Sequence, residues 1–389
     1  MLQMQERLPD ILKRTSAMNN AVIDYGLNDI LIMSDRREYI DFQTGYGSVI
    51  LGNANPAVCE ALKSQADKLW ISGKYIHNRL DEAIQRIESY LRDDYYLAEL
   101  YSTGMEAIEF SLRIAAIRTG KQAFAGFTNS VHGKSLAASS LSWNNPFSLA
   151  NFHRIPFLAV REEGGLLEII ENLFKTEDIA AFYIEPIQGS AGGYEASPGF
   201  YQSLVELCKM YNVTSVVDEI LTGFFRAGHA SYALAHGIYP DIIVFGKSMG
   251  NGFPVSAVVL RKNIKVLPGM MPKSTYSSNP LACAAVCATL QEFKRINIAE
   301  KVSHIHSIVA ERLKKVTDNS FKVRGKGALW LIEPPAHVNC EQLGRNIFDA
   351  GVVTPYTETH LRLLPPATIK ESNLELGLKI VVDACLSYT

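Results

Sequence analysis

The chain is short of the features that mark several protein classes. Charge of one sign is missing, since 38 basic and 40 acidic side chains leave a formal net charge of -2, so nothing electrostatic calls for a nucleic acid or other polyanion as partner. No stretch reaches the ~18 consecutive apolar residues of a membrane helix, so no membrane contact is expected. The opening MLQMQERLPDILKR lacks the apolar centre of a secretory signal, and the expected location is the cytoplasm. Cysteine is sparse: six residues, with no CxxC pair and no framework spacing, read as reduced thiols. Cys283 and Cys287 share a helix face in LACAAVCATL, where the surrounding Ala and Leu assign them to packing. Among the nine histidines there is no HExxH, and His304 and His306, two apart, point away from each other on a helix; no metal site is expected. Internal repeats and long Pro/Gly/Ser linkers are absent as well.

What is present is 389 residues, 47% of them hydrophobic, enough for one large domain and a smaller one. Short β-branched or aromatic runs (AFYIE at 181–185, VTSVVD at 213–218, DIIVFG at 241–246, VSAVVL at 255–260) alternate with stretches of helical spacing. This is the pattern of an α/β fold, a mostly parallel sheet flanked by helices. After a helical segment from about Pro280 to Lys294 the texture changes to FKVRGKGALWLIE, CEQLGRNIFDAG, HLRLLPP and NLELGLKIVVDACL, which reads as a second, smaller α/β domain. The expected division is an N-terminal segment 1–45 packed with the small domain, a large domain 46–290 and a small domain 291–389.

The chemistry starts at VTSVVDEI, whose apolar run delivers Asp218 and Glu219 to the carboxyl end of a strand, where open parallel sheets bind ligands. DIIVFGKSMGNGFP then ends a second strand in a Gly-rich turn bearing Lys247. Two neighbouring strand ends can thus present an acid and an amine to one cleft. Taken singly, Lys247 reads as a solvated loop lysine and Asp218 as a helix cap. GKS occurs at Gly133 and Gly246, yet Thr128 and Asp241 stand where a phosphate loop needs its earlier glycine, which speaks against a nucleotide hydrolase. STGMEA opens a helix-spaced segment (Ala107, Ile108, Ser111, Leu112, Ala115) whose first N–H groups suit a phosphate.

With these residues in view, the chain resembles the class III aminotransferases, fold-type I pyridoxal-phosphate enzymes that include ornithine and acetylornithine aminotransferases. The resemblance covers roughly residues 40 to 385. Its most specific piece is VVDEILTGFFRAGHASYALAHGIYPDIIVFGKSMGNGFPVSAVV. YIDFQTGYGSVILGNANP, YSTGMEAIEFSLRIA, NSVHGKSLAAS, IEPIQGSAGG, STYSSNPLACA and LRLLPPATI follow the family's order around it.

The resemblance implies a fold-type I enzyme with a mostly parallel seven-stranded sheet in its large domain, and pyridoxal 5'-phosphate as cofactor. Lys247 is expected to hold that cofactor as an internal Schiff base and then to move the substrate proton, with Asp218 against the pyridine nitrogen. Thr103, Gly104 and Met105 are expected at the phosphate, with Val131, His132 and Ile220 around the ring. Thr275 is expected to reach the phosphate of a neighbouring subunit, which implies a homodimer with shared active sites. Arg362 is expected to grip a substrate carboxylate.

Several positions depart from the family pattern. Met105 replaces a threonine, Val131 an aromatic residue before His-Gly, Leu221 a glutamine, and Ser190 the glutamate that neutralises the arginine in ornithine- and 4-aminobutyrate-type enzymes. Tyr46 matches a pocket tyrosine, but the same Gly-flanked position suits core packing, and both readings stand. The expected reaction is amino transfer from a donor such as glutamate to an aldehyde or keto acceptor in a ping-pong cycle. The same-scaffold alternatives are an aminomutase, racemase or decarboxylase, and the non-enzymatic alternative is a structural descendant of the fold.

Overall fold

The computed structural model describes residues 21–73, 75–142, 148–157, 163–266, 270, 271 and 273–388; residues 1–20 of the expected N-terminal segment lie outside that range. The chain begins with antiparallel strands β1 (Ile23–Leu27), β2 (Ile30–Met33) and β3 (Glu38–Asp41). The large sheet is built from β4 (Tyr95–Tyr101), β5 (Ala123–Phe127), β6 (Phe152–Ile155), β7 (Ile179–Ile184), β8 (Thr214–Glu219), β9 (Ile242–Phe245) and β10 (Ser256–Arg261). Its seven strands run in the order β4-β10-β9-β8-β7-β5-β6. β10 is antiparallel to both of its neighbours and every other pairing is parallel. The remaining strands are β11 (Lys322–Lys326), β12 (Leu329–Glu333), β13 (Val352–Val353) and β14 (Leu361–Leu363). β13 pairs in parallel with β3, joining the first described residues to the last quarter of the chain, while β11, β12 and β14 form a separate antiparallel sheet.

The central strands β7, β8 and β9 are buried at every position, as strands covered on both faces must be. On one face Val216, Val244 and Val258 cluster with Ile108 and Leu112 of the helix Gly104–Thr119. On the other, Phe182 and Val217 pack with Phe200 and Leu204 of the helix Pro198–Met210, and Ile243 and Val259 with Cys283, Val286 and Leu290 of the helix Pro280–Arg295. Both cysteines expected in packing, Cys283 and Cys287, are therefore core residues. His304 and His306 diverge as the helical spacing requires: His304 is exposed and 3.2 Å from Glu371, whereas His306 stacks on Trp330 at 5.1 Å. Among the described residues no helix is long and apolar enough to cross a membrane.

Candidate active site

Five parallel strands of the sheet end on one side, and the residues that follow them converge. β4 leads to Thr103–Met105, β5 to Val131 and His132, β7 to Glu185–Ser190, β8 to Asp218–Leu221, and β9 to Lys247. The parallel register opposes Asp218 to Val244 and Glu219 to Phe245, so Lys247 emerges just beyond the strand end that carries Asp218. This is the location that the alternating sequence pattern implies.

Asp218 is buried, and its carboxylate is oriented from two sides. Its Oδ1 accepts the N–H of Ile220 at 3.0 Å, and its Oδ2 lies 2.8 Å from His132 Nδ1. His132 Nε2 is buried without a partner among the described residues, and the His132 N–H is held by Ser142 Oγ at 2.9 Å. With Nδ1 donating, the ring is fixed in one orientation behind the carboxylate.

Lys247 opens a short 3-10 turn, Lys247–Gly250, with φ at +43°, a left-handed conformation that costs a non-glycine residue about 1–2 kcal/mol. Burial lowers the pKa of its amine to about 8 in spite of the opposing pull of Asp218 and Glu185, with Arg362 and Arg226 adding to the lowering. A neutral amine close to physiological pH is what a nucleophile or proton carrier requires.

The start of the helix Gly104–Thr119 is a capping box. Thr103 Oγ1 accepts the N–H of Glu106 at 3.3 Å, and Glu106 Oε2 accepts the N–H groups of Ser102 and Thr103, both at 3.0 Å. Of the three candidate phosphate donors, Thr103 thus has its N–H engaged already, while those of Gly104 and Met105 are the first-turn donors that a helix leaves free. Ser256 of β10 fastens this corner by donating to the Thr103 carbonyl at 2.7 Å. Ile220 fills the space between the helix start and the lysine turn: a Cβ built on Gly104 would meet Ile220 Cδ1 at 2.7 Å, and one on Gly246 would meet Ile220 Cγ2 at 3.3 Å. Val131 presents its N–H to Glu185 Oε2 at 3.1 Å.

The substrate candidates come together on a separate wall. Arg362, in the middle of β14 opposite Leu331, points Nη1 at Ser190 Oγ (3.3 Å) and the Gly189 carbonyl (3.5 Å), and its guanidinium lies 5.7 Å from the Tyr46 ring centre. Its Nε is buried and unpartnered among the described residues. Tyr46 is 57% exposed, which sets aside core packing for its ring. Thr275 is exposed in the single chain.

Three residues that hold this arrangement were passed over in the sequence, Glu185, Gln188 and Arg226, and a fourth, Glu219, was placed at its strand end without a role. Glu185 links the Val131 and Gly189 loops, and burial followed by repulsion from Asp218 pushes its pKa up to about 7. Gln188 donates to the Thr128 carbonyl at 2.8 Å and to Ser130 Oγ at 3.1 Å. Glu219 caps the turn at Ser231–Ala233. Arg226, fully buried, donates to the carbonyls of Ala328, Pro365 and Gly47 and to Thr44 Oγ1, tying the Tyr46 loop to the turn after β14. An arginine inside the apolar, Gly-flanked LTGFFRAGHA was the one signal available for it.

A strand-end amine beside a buried carboxylate, with helix N–H donors and an arginine close by, is the donor set of a group-transfer enzyme. Residues 11–385 match the family model described as aminotransferase class-III. The chain is 30% identical over 376 residues to the mitochondrial ornithine aminotransferase of Rattus norvegicus, covering 90% of this chain and 83% of that protein. It is 32% identical to the [LysW]-aminoadipate semialdehyde/glutamate semialdehyde transaminase of Sulfolobus acidocaldarius, covering 90% and 91%. The ornithine aminotransferase of Toxoplasma gondii, a structure with partial occupancy of PLP at its active site, superposes with a TM-score of 0.84 at 26% identity, covering 97% of this chain and 94% of its own. The chain belongs to the class-III aminotransferase family.

Proposed function

We propose that this enzyme holds pyridoxal 5'-phosphate through Lys247 and moves an amino group from an acidic amino acid such as glutamate to an aldehyde or keto acceptor in two half-reactions. The observation that carries the reading is the placement of the Lys247 amine in the turn after β9, next to the end of β8 that carries the buried Asp218, where burial lowers its pKa. The residues present suit this cofactor. The Gly104 and Met105 N–H groups match a phosphate at a helix start, and each Asp218 oxygen keeps a lone pair for a ring N–H beyond its bond to Ile220 or His132. When bound, the cofactor supplies an aldehyde to capture amines and a ring that withdraws electrons from the substrate Cα.

The chain supplies the rest. Lys247, neutral above about pH 8, accepts and returns the proton at Cα. Asp218, oriented by His132 and the Ile220 N–H, would offer its carboxylate to the ring nitrogen. Arg362, with its buried Nε free among the described residues, offers a planar fork to a substrate carboxylate, and Tyr46 and Ser190 border that position. Because residue 190 is serine, Arg362 has no carboxylate partner there in either half-reaction.

The protein acts in the cytoplasm as a homodimer with shared sites, Thr275 of each subunit serving the other. In support, Trp70, Tyr75, Ile76 and Tyr276 are 61%, 82%, 84% and 59% exposed in the single chain, an apolar surface of the kind that a subunit contact covers. Borohydride treatment of the holoenzyme, followed by peptide mass spectrometry, should place the cofactor on Lys247. A panel of donors with semialdehyde and keto-acid acceptors should show turnover only when both are supplied. Turnover of one substrate without an acceptor would replace amino transfer with isomerisation, racemisation or decarboxylation.

A further inference from the structure

Glu185 is buried directly after β7 and makes two bonds in different directions: Oε2 accepts the N–H of Val131 at 3.1 Å, and Oε1 accepts the N–H of Gly189 at 3.1 Å. The first bond fixes the loop that carries His132 and, through it, Asp218. The second fixes the loop whose Gly189 carbonyl and Ser190 hydroxyl meet Arg362. One carboxylate therefore joins the cofactor wall to the carboxylate-binding wall. No direct cation partner neutralises it among the described residues, although it faces a field of charged groups.

We propose that Glu185 is a positioning residue that locks these two loops in register and supplies, from the interior, the negative charge facing Lys247 and Arg362 that serine at position 190 does not provide. The inference rests on the reading of Lys247 as the cofactor lysine. Burial and Asp218 raise the pKa of Glu185 to about 7 against the two backbone N–H donors, so the carboxylate carries its charge above that pH, where the two acceptor bonds orient it without neutralising it. The charged groups around it are Asp218, which repels it, His132, Lys247 and Arg362; its charge raises the pKa of both Lys247 and Arg362 against the lowering effect of burial. Beyond them, Arg226 acts on Lys247 with the opposite sign. A side chain acting in this way shifts the proton affinity of the amine and the binding of a carboxylate substrate together, whereas a purely structural residue has no reason to move the first.

The test uses the full-length chain carrying Glu185→Gln, which removes the charge and one of the two acceptors. In cofactor-free protein, the pH dependence of Lys247 acylation, read by peptide mass spectrometry, should have its midpoint lowered by about one unit relative to the native residue. In the holoenzyme, the KM for glutamate should fall by about threefold, because the lost charge no longer competes with the substrate carboxylate for Arg362. Adding Ser190→Glu to that variant should return the acylation midpoint toward the native value. Ser190→Glu alone leaves the interior intact and covers the case in which E185Q does not fold: the added carboxylate should pair with Arg362 and raise the KM for glutamate about tenfold. An unmoved acylation midpoint in E185Q, or an unmoved KM in S190E, would overturn the proposal. Failure to trap the cofactor on Lys247 in the native protein would overturn the proposed function instead, so the two failures are distinct.

Discussion

Leu221 occupies the space that any side chain at residue 189 would need: a Cβ built on Gly189 meets Leu221 Cδ2 at 2.2 Å, and one on Gly47 meets Leu221 Cδ1 at 2.9 Å. This buried leucine is thus wedged between the loops that carry Tyr46 and Ser190. Gly189→Ala should overpack the wedge and destabilise by about 1–3 kcal/mol, and Leu221→Ala should leave a cavity costing about 2–5 kcal/mol. Because the second change makes room for the first, the double variant should be more stable than the sum of the single losses predicts. Urea unfolding of the four proteins measures this coupling, and strict additivity would show that the two residues do not share the space.

The contact between Asp218 and His132 leads to a second expectation. His132→Phe keeps a ring of similar size but deprives a buried carboxylate of its 2.8 Å donor, which should cost about 1–3 kcal/mol of stability. It should also lower kcat, because Asp218 would lose the group that aims it. His132→Asn, which restores a donor, should recover part of both. If the phenylalanine variant unfolds at the same urea concentration as the native protein, the bond contributes nothing that water could not supply.

The layers of the large sheet were legible because β7, β8 and β9 are buried on both faces and must be apolar throughout; the runs 181–185, 213–218 and 241–246 differ from the observed strands by a residue or two at their ends. The convergence of Asp218 and Lys247 was legible for a related reason, since the termini of adjacent parallel strands lie side by side. What local pattern could not carry was long-range satisfaction of polar groups. Glu185 looks like any glutamate before a proline until Val131 and Gly189 are brought to it, and Arg226 gains its acceptors from Ala328 and Pro365, far along the chain. The antiparallel direction of β10 was likewise invisible, because a buried VSAVVL run has the same texture whichever way it points.

Glu219 makes stability depend on pH. Burial pushes its pKa up to about 7 from the ordinary 4.5 even though Ser231, Tyr232 and Ala233 donate to it. Between those two values the folded protein binds the proton more tightly than the unfolded chain does. The stabilisation is therefore complete below about pH 4.5 and is lost as pH rises through about 7. Glu185 acts with the same sign over a similar window. The urea midpoint of the native protein should fall between pH 5 and pH 8 by a larger margin than that of Glu219→Gln, which has no proton to lose. Equal slopes in the two proteins would mean that Glu219 titrates as it does in water.

The left-handed backbone of Lys247 separates two variants that are chemically equivalent. Lys247→Ala and Lys247→Gly both remove the amine and should both abolish cofactor trapping and turnover. At φ +43° an alanine Cβ is strained and glycine is not, which favours glycine in the folded state, while the greater freedom of glycine in the unfolded chain opposes it. At a positive φ the steric effect is the larger, so the glycine variant should be the more stable by about 1 kcal/mol. Melting of both cofactor-free proteins at one pH measures the difference. A more stable alanine variant would show that the turn relaxes once the lysine is gone, placing the strain in the side chain's burial rather than in the backbone that presents it.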